Sequence, residues 1–381
     1  MKVSEVLEIL SREIITDVKW KNDPCGLLVG NPVYEVSKIL TALNPTLEVV
    51  QEAKDKGCGL IVSHHPLFKN KTDSLVEGDY YSDVIRTLVK YDISLISFHT
   101  CYDLLNNGVS SLIASEIGIK NIKPLVPVSQ LKDVEVHELY KLVVYTPQGF
   151  ENKIKRVIDR HGGASIGNYG HCFFSNQGTG SFRPSDKANP YIGKSGKIEN
   201  VKETRIETVI PEWKINDVIN SLKKSHPYEV PVIDLYRIYS DSGNFGLGAI
   251  GDLEQKVNLK DLCSLVSNKL NTQSLRIVPK REYCNNKLSR IAVCGGSGAS
   301  FWKYALSEKA DVFISSEFGH HIYQEASYHI NIIDATHHST EQFVKKGLKV
   351  VLERFFDGTV FESKKDIDKI MSANEIYKPE K

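Results

Sequence analysis

Apolar positions in the N-terminal third of the chain switch between helical and extended spacing. Val3, Val6, Leu7 and Leu10 share one helical face. Lys38–Leu43 and Gly59–Ser63 read as strands, separated by a helical stretch, Leu47–Lys56, that Gly57 stops. Asp83–Lys90 reads as a helix and Ser94–Phe98 as a strand. This alternation predicts a mainly parallel sheet covered by helices.

Near Pro124-Leu-Val-Pro127 the pattern changes. Leu139–Tyr145 reads as a strand, Phe150–Arg160 as an amphipathic helix ended by Gly162-Gly163, and Asn168–Phe174 as a strand. A loop rich in Gly, Ser and Pro (Asn176–Pro190) is expected next. Strand Lys202–Ile210, helix Ile215–Lys224 and strand Val230–Tyr239 follow. A β-α-β-β-α-β order is the ferredoxin-like pattern, so residues 127–239 are expected to be a separate, inserted domain. From about Gly243 the first pattern returns. Leu259–Leu270, Phe301–Lys309 and Ser339–Phe356 read as helices, and Arg290–Cys294, Ala310–Ser315 and Ile330–Asp334 as strands. The tail Ser363–Lys381 is highly charged and reads as a weakly anchored surface segment. The expected architecture is α/β: a three-layer core split into 1–126 and 240–381, with 127–239 inserted.

Composition narrows the classes without choosing a function. The 381 residues are 41% hydrophobic and 25% charged, as in an ordinary globular protein rather than a disordered one. The net charge of +1 gives no general electrostatic case for nucleic acid or an anionic membrane. No apolar run is long enough to span a bilayer, and Glu5 and Glu8 interrupt the place where a signal peptide needs apolar residues. Seven cysteines (Cys25, Cys58, Cys101, Cys172, Cys263, Cys284, Cys294) contain no CxxC pair, so reduced thiols and a cytoplasmic location are expected.

The chemistry collects at strand ends. One strand runs into His64-His65-Pro66, a second into His99 and then Asp103, and a third into His337 with Glu341 four residues on. Ligands of parallel sheets gather just beyond the carboxyl ends of strands, so these segments are expected to form one site. His337 and Glu341 share a helical face. Pro66 stiffens the turn from which His64 and His65 could reach different ions. Five side chains (His64, His65, Asp103, His337, Glu341) exceed what one open tetrahedral ion needs, and suit two ions sharing a carboxylate. A nitrogen and oxygen donor set without thiolate admits Zn, Fe, Mn, Ni or Co. His99 is expected as a ligand, a supporting donor or a base, and Asp334 as the group orienting His337. Glu317 and the His320-His321 doublet are candidates at the same edge, with His321 a possible proton shuttle. Gly295-Gly-Ser-Gly298 or Arg183 could hold phosphate.

Asn22-Asp-Pro-Cys-Gly-Leu-Leu-Val-Gly30, Ser63-His-His-Pro66, His99-Thr-Cys-Tyr-Asp103, Gly295-Gly-Ser-Gly298, Ser315-Ser-Glu-Phe-Gly-His-His321 and Asp334-Ala-Thr-His-His-Ser-Thr-Glu341 occur in this order. With them the chain resembles the GTP cyclohydrolase I type 2 homologues, also called NIF-three-like or dinuclear metal-centre proteins, over nearly its whole length. The resemblance implies metal ligands at His64, His65, Asp103, His337 and Glu341. It implies a homohexamer, a trimer of dimers, with metal sites facing an inner cavity. It also implies GTP as substrate, with water opening the purine imidazole ring and releasing formate. The middle segment resembles the PII/CutA-like insertion of longer bacterial members through Gly167-Asn-Tyr169, Gly178-Thr-Gly-Ser-Phe-Arg-Pro184 and His226-Pro-Tyr-Glu229. The chain departs from the family at Thr336 and Ser316, where Gly is usual, and at Cys101, where Asn is usual. The functional expectation is a metal-dependent hydrolase acting on a small molecule, with a non-enzymatic metal-binding or metabolite-sensing assembly as the alternative. Neither a membrane nor a nucleic-acid partner is expected.

Overall fold

The computed structural model describes residues 1–14, 18–68, 74–136, 139–166, 169–238, 245–272, 274–281 and 287–366. The chain divides into two compact units, Met1–Glu135 with Ser242–Lys381, and Val136–Asp241. The expected second domain boundary (239/240), Cys284, Gly167-Asn168 and tail residues 367–381 lie outside the described residues.

The first unit is α/β and contains two substantial sheets. A five-stranded sheet has the order Thr359–Glu362, Lys38–Ala42, Leu60–Ser63, Ser94–Ser97, Gly26–Val29; all neighbours are parallel except the last pair. A six-stranded sheet has the order Arg276–Val278, Asn331–Asp334, Val312–Ser315, Leu288–Val293, Ala249–Val257, Lys120–Lys123. Its middle three strands are parallel and its outer pairings antiparallel. Each half of the unit lends the other an edge strand, Thr359–Glu362 to the first sheet and Lys120–Lys123 to the second.

The pattern of buried positions explains these layers. Strands Leu60–Ser63 and Ser94–Ser97 are buried at every residue, as parallel strands covered on both faces must be. One core joins inner-face residues of both sheets (Val62, Ile96, Val293, Ile314) to helices Val3–Glu13, Val109–Ile117, Leu259–Lys269 and Val344–Leu352. Two further cores cover the outer faces. Leu47–Lys56 and Tyr80–Lys90 pack on the five-stranded sheet, and Trp302–Ser307 and His320–Ala326 on the six-stranded one. Each such buried Leu or Ile is worth about 1.5–3 kcal/mol over its exposed state.

Register sets up the site. Ser63 lies opposite Ser97, and Ser315 opposite Asp334. Segments leaving these strand ends therefore start level with their neighbours. The last described stretch is also tied down. The Glu52 carboxylate accepts from Ser363 Oγ at 2.7 Å and from the Lys364 and Lys365 amides at 3.1 Å. The Asp366 carboxylate accepts from Leu43 N, and from Asn44 N at 3.0 Å. The expectation of a loose tail is thus corrected for 363–366.

In the second unit, Leu139–Pro147, Glu151–Arg160, Phe174–Phe182, Glu199–Pro211, Ile215–Ser225 and Ile233–Ile238 follow in β-α-β-β-α-β order. The sheet is antiparallel, ordered Phe174–Phe182, Glu199–Pro211, Leu139–Pro147, Ile233–Ile238. The helices cover one face through Ile154, Ile158, Val218 and Leu222, which meet Leu142, Val144, Ile206 and Ile210. The expected loop from Asn176 is instead a strand as far as Phe182. Its side chains are mostly exposed, so no apolar alternation marks it, and pairing with Glu199–Pro211 holds it extended. The expected helix Ser339–Phe356 is two helices, His337–Glu341 and Val344–Leu352. It begins earlier because Thr336 is the cap: its hydroxyl accepts from Ser339 N. Among the described residues no helix is long and apolar enough to cross a membrane.

Candidate metal centre

Three loops bring their side chains to one place in the first unit. His64 and His65 follow strand Leu60–Ser63. His99 caps, and Asp103 ends, the short helix Thr100–Asp103 after Ser94–Ser97. His337 and Glu341 begin and end His337–Glu341 after Asn331–Asp334. Neighbouring imidazole centroids lie 5.0 Å (His64 and His65), 5.4 Å (His64 and His99), 5.5 Å (His65 and His99) and 5.3 Å (His65 and His337) apart. Three groups offer ligand atoms within 4.8 Å of one another: His64, His65 and His99; His65, His337 and Glu341; His64, Asp103 and Glu341. The centre therefore has His and carboxylate groups positioned to hold a metal ion.

Hydrogen bonds set the direction of each ring. His64 Nδ1 lies 3.0 Å from the Phe98 carbonyl, His65 Nδ1 2.8 Å from Asn44 Oδ1, His99 Nδ1 2.7 Å from Asp23 Oδ1, and His337 Nδ1 2.7 Å from Glu317 Oε1. With Asn44 so oriented, every one of these partners is an acceptor, so each Nδ1 must carry the proton. The Nε2 atoms are then left as lone pairs, as in metal-bound histidines whose second nitrogen is anchored.

Those lone pairs crowd one another. His337 Nε2 is 3.4 Å from His65 Nε2. Glu341 Oε2 lies 2.9 Å from His337 Nε2 and 3.0 Å from His65 Nε2. His64 Nε2 is 3.5 Å from Asp103 Oδ1. His64 Nε2 and Glu341 Oε2 are both buried with no aligned hydrogen bond. Converging acceptors without donors are costly unless a cation, or protons in its place, lies among them. This donor set fits a metal.

The ionisation tendencies of these groups put protons in that role. Burial, reinforced by the negative Glu341, pushes Asp103 up to about 7. Burial disfavours ionised Glu341, but the His337 and His65 imidazoles outweigh it and hold the carboxyl well below its usual range. His337 is pushed up to about 9: Glu341 and Glu317 override the opposing effect of burial. Burial drives His64 down to about 3, so it is neutral. At Asp23 burial is likewise outweighed, by His99 and Thr100, and its carboxyl stays far below the ordinary value.

The supporting residues differ from expectation in three ways. Glu317, not Asp334, orients His337. The Asp334 carboxylate instead accepts the Tyr323 hydroxyl and faces Arg276 Nη1 at 3.9 Å. Glu317 has φ +62°, a strained backbone for a non-glycine residue. The Gly295–Gly298 turn is no anion cradle. Its amides from Gly295, Gly296 and Gly298 are engaged by Ser110 Oγ, Thr340 Oγ1 and the Gly296 carbonyl. The turn backs Glu341: a Cβ on Gly296 (φ +64°) would sit 2.1 Å from Glu341 Oε1. His320 and His321 are exposed at the start of His320–Ala326 and join none of the three groups. Ser316 donates to the Gly296 carbonyl at 2.6 Å, so it braces this turn. Arg183 belongs to the second unit.

Sequence reasoning missed Asp23 and Asn44. Asp23 lies in the quoted Asn22–Gly30 motif, but nothing local says that it anchors a histidine 76 residues on. Asn44 follows a strand whose end is level with that of the His64 strand, and only the pairing reveals this.

A fold of two α/β sheets with this cluster at their strand ends defines a class of metal-site proteins, and comparison gives the family. A model of Duf34/NIF3 (NGG1p interacting factor 3) matches residues 1–368, and the chain belongs to this family. A Staphylococcus aureus protein described as a GTP cyclohydrolase 1 type 2 homolog is 37% identical over 359 residues, 94% of each chain. A Halalkalibacterium halodurans protein with the same description is 32% identical over 359 residues, again 94% of each. The solved structure of a Bacillus cereus protein related to NIF3 is similar with a TM-score of 0.76 and 29% identity, covering 98% of this chain and 99% of that one.

Proposed function

We propose that the chain is a metal-dependent hydrolase with a two-ion centre. One observation carries the reading: four imidazoles, each committed at Nδ1 to an oxygen, leave their Nε2 atoms free beside two carboxylates. His65, His337 and Glu341 would hold one ion, and His64, Asp103 and Glu341 the other, with Glu341 shared. Zn, Fe, Mn, Ni and Co all suit these donors. Bound divalent cations supply Lewis acidity and lower the pKa of water toward neutrality.

The chain's own residues fix and surround that chemistry. Asn44, Glu317 and the Phe98 carbonyl lock ring orientation and tautomer, which raises ligand basicity. His99, held by Asp23, presents Nε2 to the same space and can take or give a proton there. Glu317 is only one hydrogen bond from the centre and is exposed, so it can also meet substrate. The relatives' description motivates a purine nucleotide, GTP first, opened by water at its imidazole ring. A cytoplasmic homohexamer, a trimer of dimers carrying the middle segment as a PII/CutA-like insertion, completes the proposal.

Elemental analysis of protein purified without added metal should give about two ions per chain. Protein reloaded with Mn or Zn should then hydrolyse GTP or a related purine nucleotide. Two bound ions with no turnover across a broad nucleotide panel would overturn the hydrolase reading. A sensing assembly would then stand, favoured by a cavity of about 260 Å³ lined by Tyr145, Glu203, Tyr228, Val232 and Asp234 in the second unit. Calorimetric titration of nucleotides tests it through saturable binding without turnover.

A further inference from the structure

The sulfur atoms of Cys25 and Cys101 lie 3.5 Å apart, although 76 residues separate them. Cys25 immediately precedes strand Gly26–Val29 and is half-buried; Cys101 is on Thr100–Asp103 and buried. A disulfide needs an S–S distance of about 2.05 Å, so closure takes a movement of about 1.5 Å. Gly26, next to Cys25, has φ +104° and open space where a Cβ would be. Cys101 belongs to the core between the sheets and Cys25 packs against it, whereas Cys58 and Cys294 lie in the two outer cores.

Asp23 joins this pair to the candidate metal centre. Its Oδ2 accepts from Cys25 Sγ at 3.2 Å, Thr100 N at 2.9 Å and Thr100 Oγ1 at 2.6 Å, while Oδ1 accepts from His99 Nδ1 at 2.7 Å. The helix that carries Cys101 ends at Asp103. Any shift of Cys25 toward Cys101 therefore acts on the carboxylate that aims His99 and on the helix that presents Asp103.

We infer that Cys25 and Cys101 are a reversible disulfide site, formed by exchange with a low-molecular-weight disulfide, that tunes the adjoining centre. Cys25, half-buried and the more exposed of the two, gives its proton to solvent and attacks one sulfur of the small disulfide. The first small thiolate leaves and is protonated. Cys101 then gives up its proton and attacks Cys25 Sγ, expelling the second small thiolate, which is protonated in turn. Two protein thiols and one small disulfide become one protein disulfide and two small thiols. The protein loses two electrons and the small disulfide gains them.

Linkage removes the Cys25 S–H donor from Asp23. Its effect on ion affinity rests on the metal reading above, while the linkage itself does not. Through the helix that carries both Cys101 and Asp103, linkage is expected to weaken Mn binding.

The test equilibrates the full chain, ion-free and Mn-loaded, with glutathione buffers of rising oxidised fraction, followed by alkylation and peptide mass analysis. The expected result is a Cys25–Cys101 peptide pair lighter by two hydrogens, reversed by reduced glutathione. Cys101→Ser should trap glutathione on Cys25, and Cys25→Ser should leave Cys101 reduced. A persistent glutathione adduct on wild-type Cys25, a pairing among other cysteines, or no reaction would overturn the site. Linkage with unchanged Mn affinity would overturn its effect on the centre. Linkage in protein that binds no ion at all would leave the disulfide site standing and reject the metal reading.

Discussion

Gly296 and Glu317 both carry positive φ beside the centre, for opposite reasons. Gly296 leaves room, since any Cβ there would strike Glu341 Oε1. Gly296→Ala should add about 1–2 kcal/mol of left-handed strain. It should also displace Glu341, so that the purified variant keeps its far-UV circular dichroism but carries fewer ions per chain by elemental analysis. Glu317 accepts strain at φ +62° to place Oε1 2.7 Å from His337 Nδ1. Glu317→Gly should therefore separate two properties. Ion-free stability in urea should hold or rise by up to about 1 kcal/mol as the strain goes, while ion affinity falls about 10–100-fold. A variant that loses stability and keeps affinity would mean that Glu317 serves the fold alone. At this scale the sequence exposed the candidate ligand types and hid the residues that orient them. His64, His65, Asp103, His337 and Glu341 stand out because imidazoles and carboxylates recur at predicted strand ends. Asn44 and Asp23 do not, because a supporting residue needs only an acceptor at the right place, and many loops contain one.

The stretch from Thr359 to Asp366 illustrates the scale of the element. Strand Thr359–Glu362 adds to the edge of the five-stranded sheet, and the residues after it are secured by buried carboxylates on either side. Asp366 also accepts from Asn44 Nδ2 at 3.2 Å, and Asn44 Oδ1 meets His65, so this junction borders the centre. Burial raises the pKa of Glu52, but Lys56, Ser363 and the Lys364 and Lys365 amides prevail and lower it below 4.5. A carboxyl depressed on folding contributes stability that is full above its unfolded value and lost as pH falls through its folded value. Urea unfolding should thus show Glu52→Gln destabilised near neutrality, with the gap to wild type closing below about pH 4.5. A gap that persists in acid would assign the loss to packing instead of charge. Charged residues dominate the sequence from Ser363 on, which is why that part reads as loose. Its anchors, Glu52 and the Leu43-Asn44 amides, lie more than 300 residues earlier.

For the whole molecule, alternation of elements was enough to expect an α/β class and a middle segment of different order. It could not show that the core has two sheets, since periodicity marks a strand without naming its partner. The exchange of edge strands between the two halves follows only from pairing. This arrangement leads to a thermodynamic prediction. All the residues of the candidate centre belong to the unit Met1–Glu135 with Ser242–Lys381, and none to Val136–Asp241. An ion that binds the folded unit alone stabilises it by RT ln(1 + [L]/Kd), about 2.7 kcal/mol at a hundredfold excess over Kd. In a domain of this size that is a rise of several degrees in melting temperature. Scanning calorimetry of the full chain should resolve a transition that moves up with Mn or Zn and back with a chelator. A second transition, from the other unit, should stay fixed. His337→Ala should abolish the movement and leave both transitions in place. Replacing residues 139–238 with a short flexible linker should remove only the fixed transition, and the ion-to-chain ratio of the remainder should equal that of the full chain. If the shortened chain instead melts without an ion-dependent shift while still folded, the centre depends on the middle segment, and the proposal that this segment is a separate insertion fails.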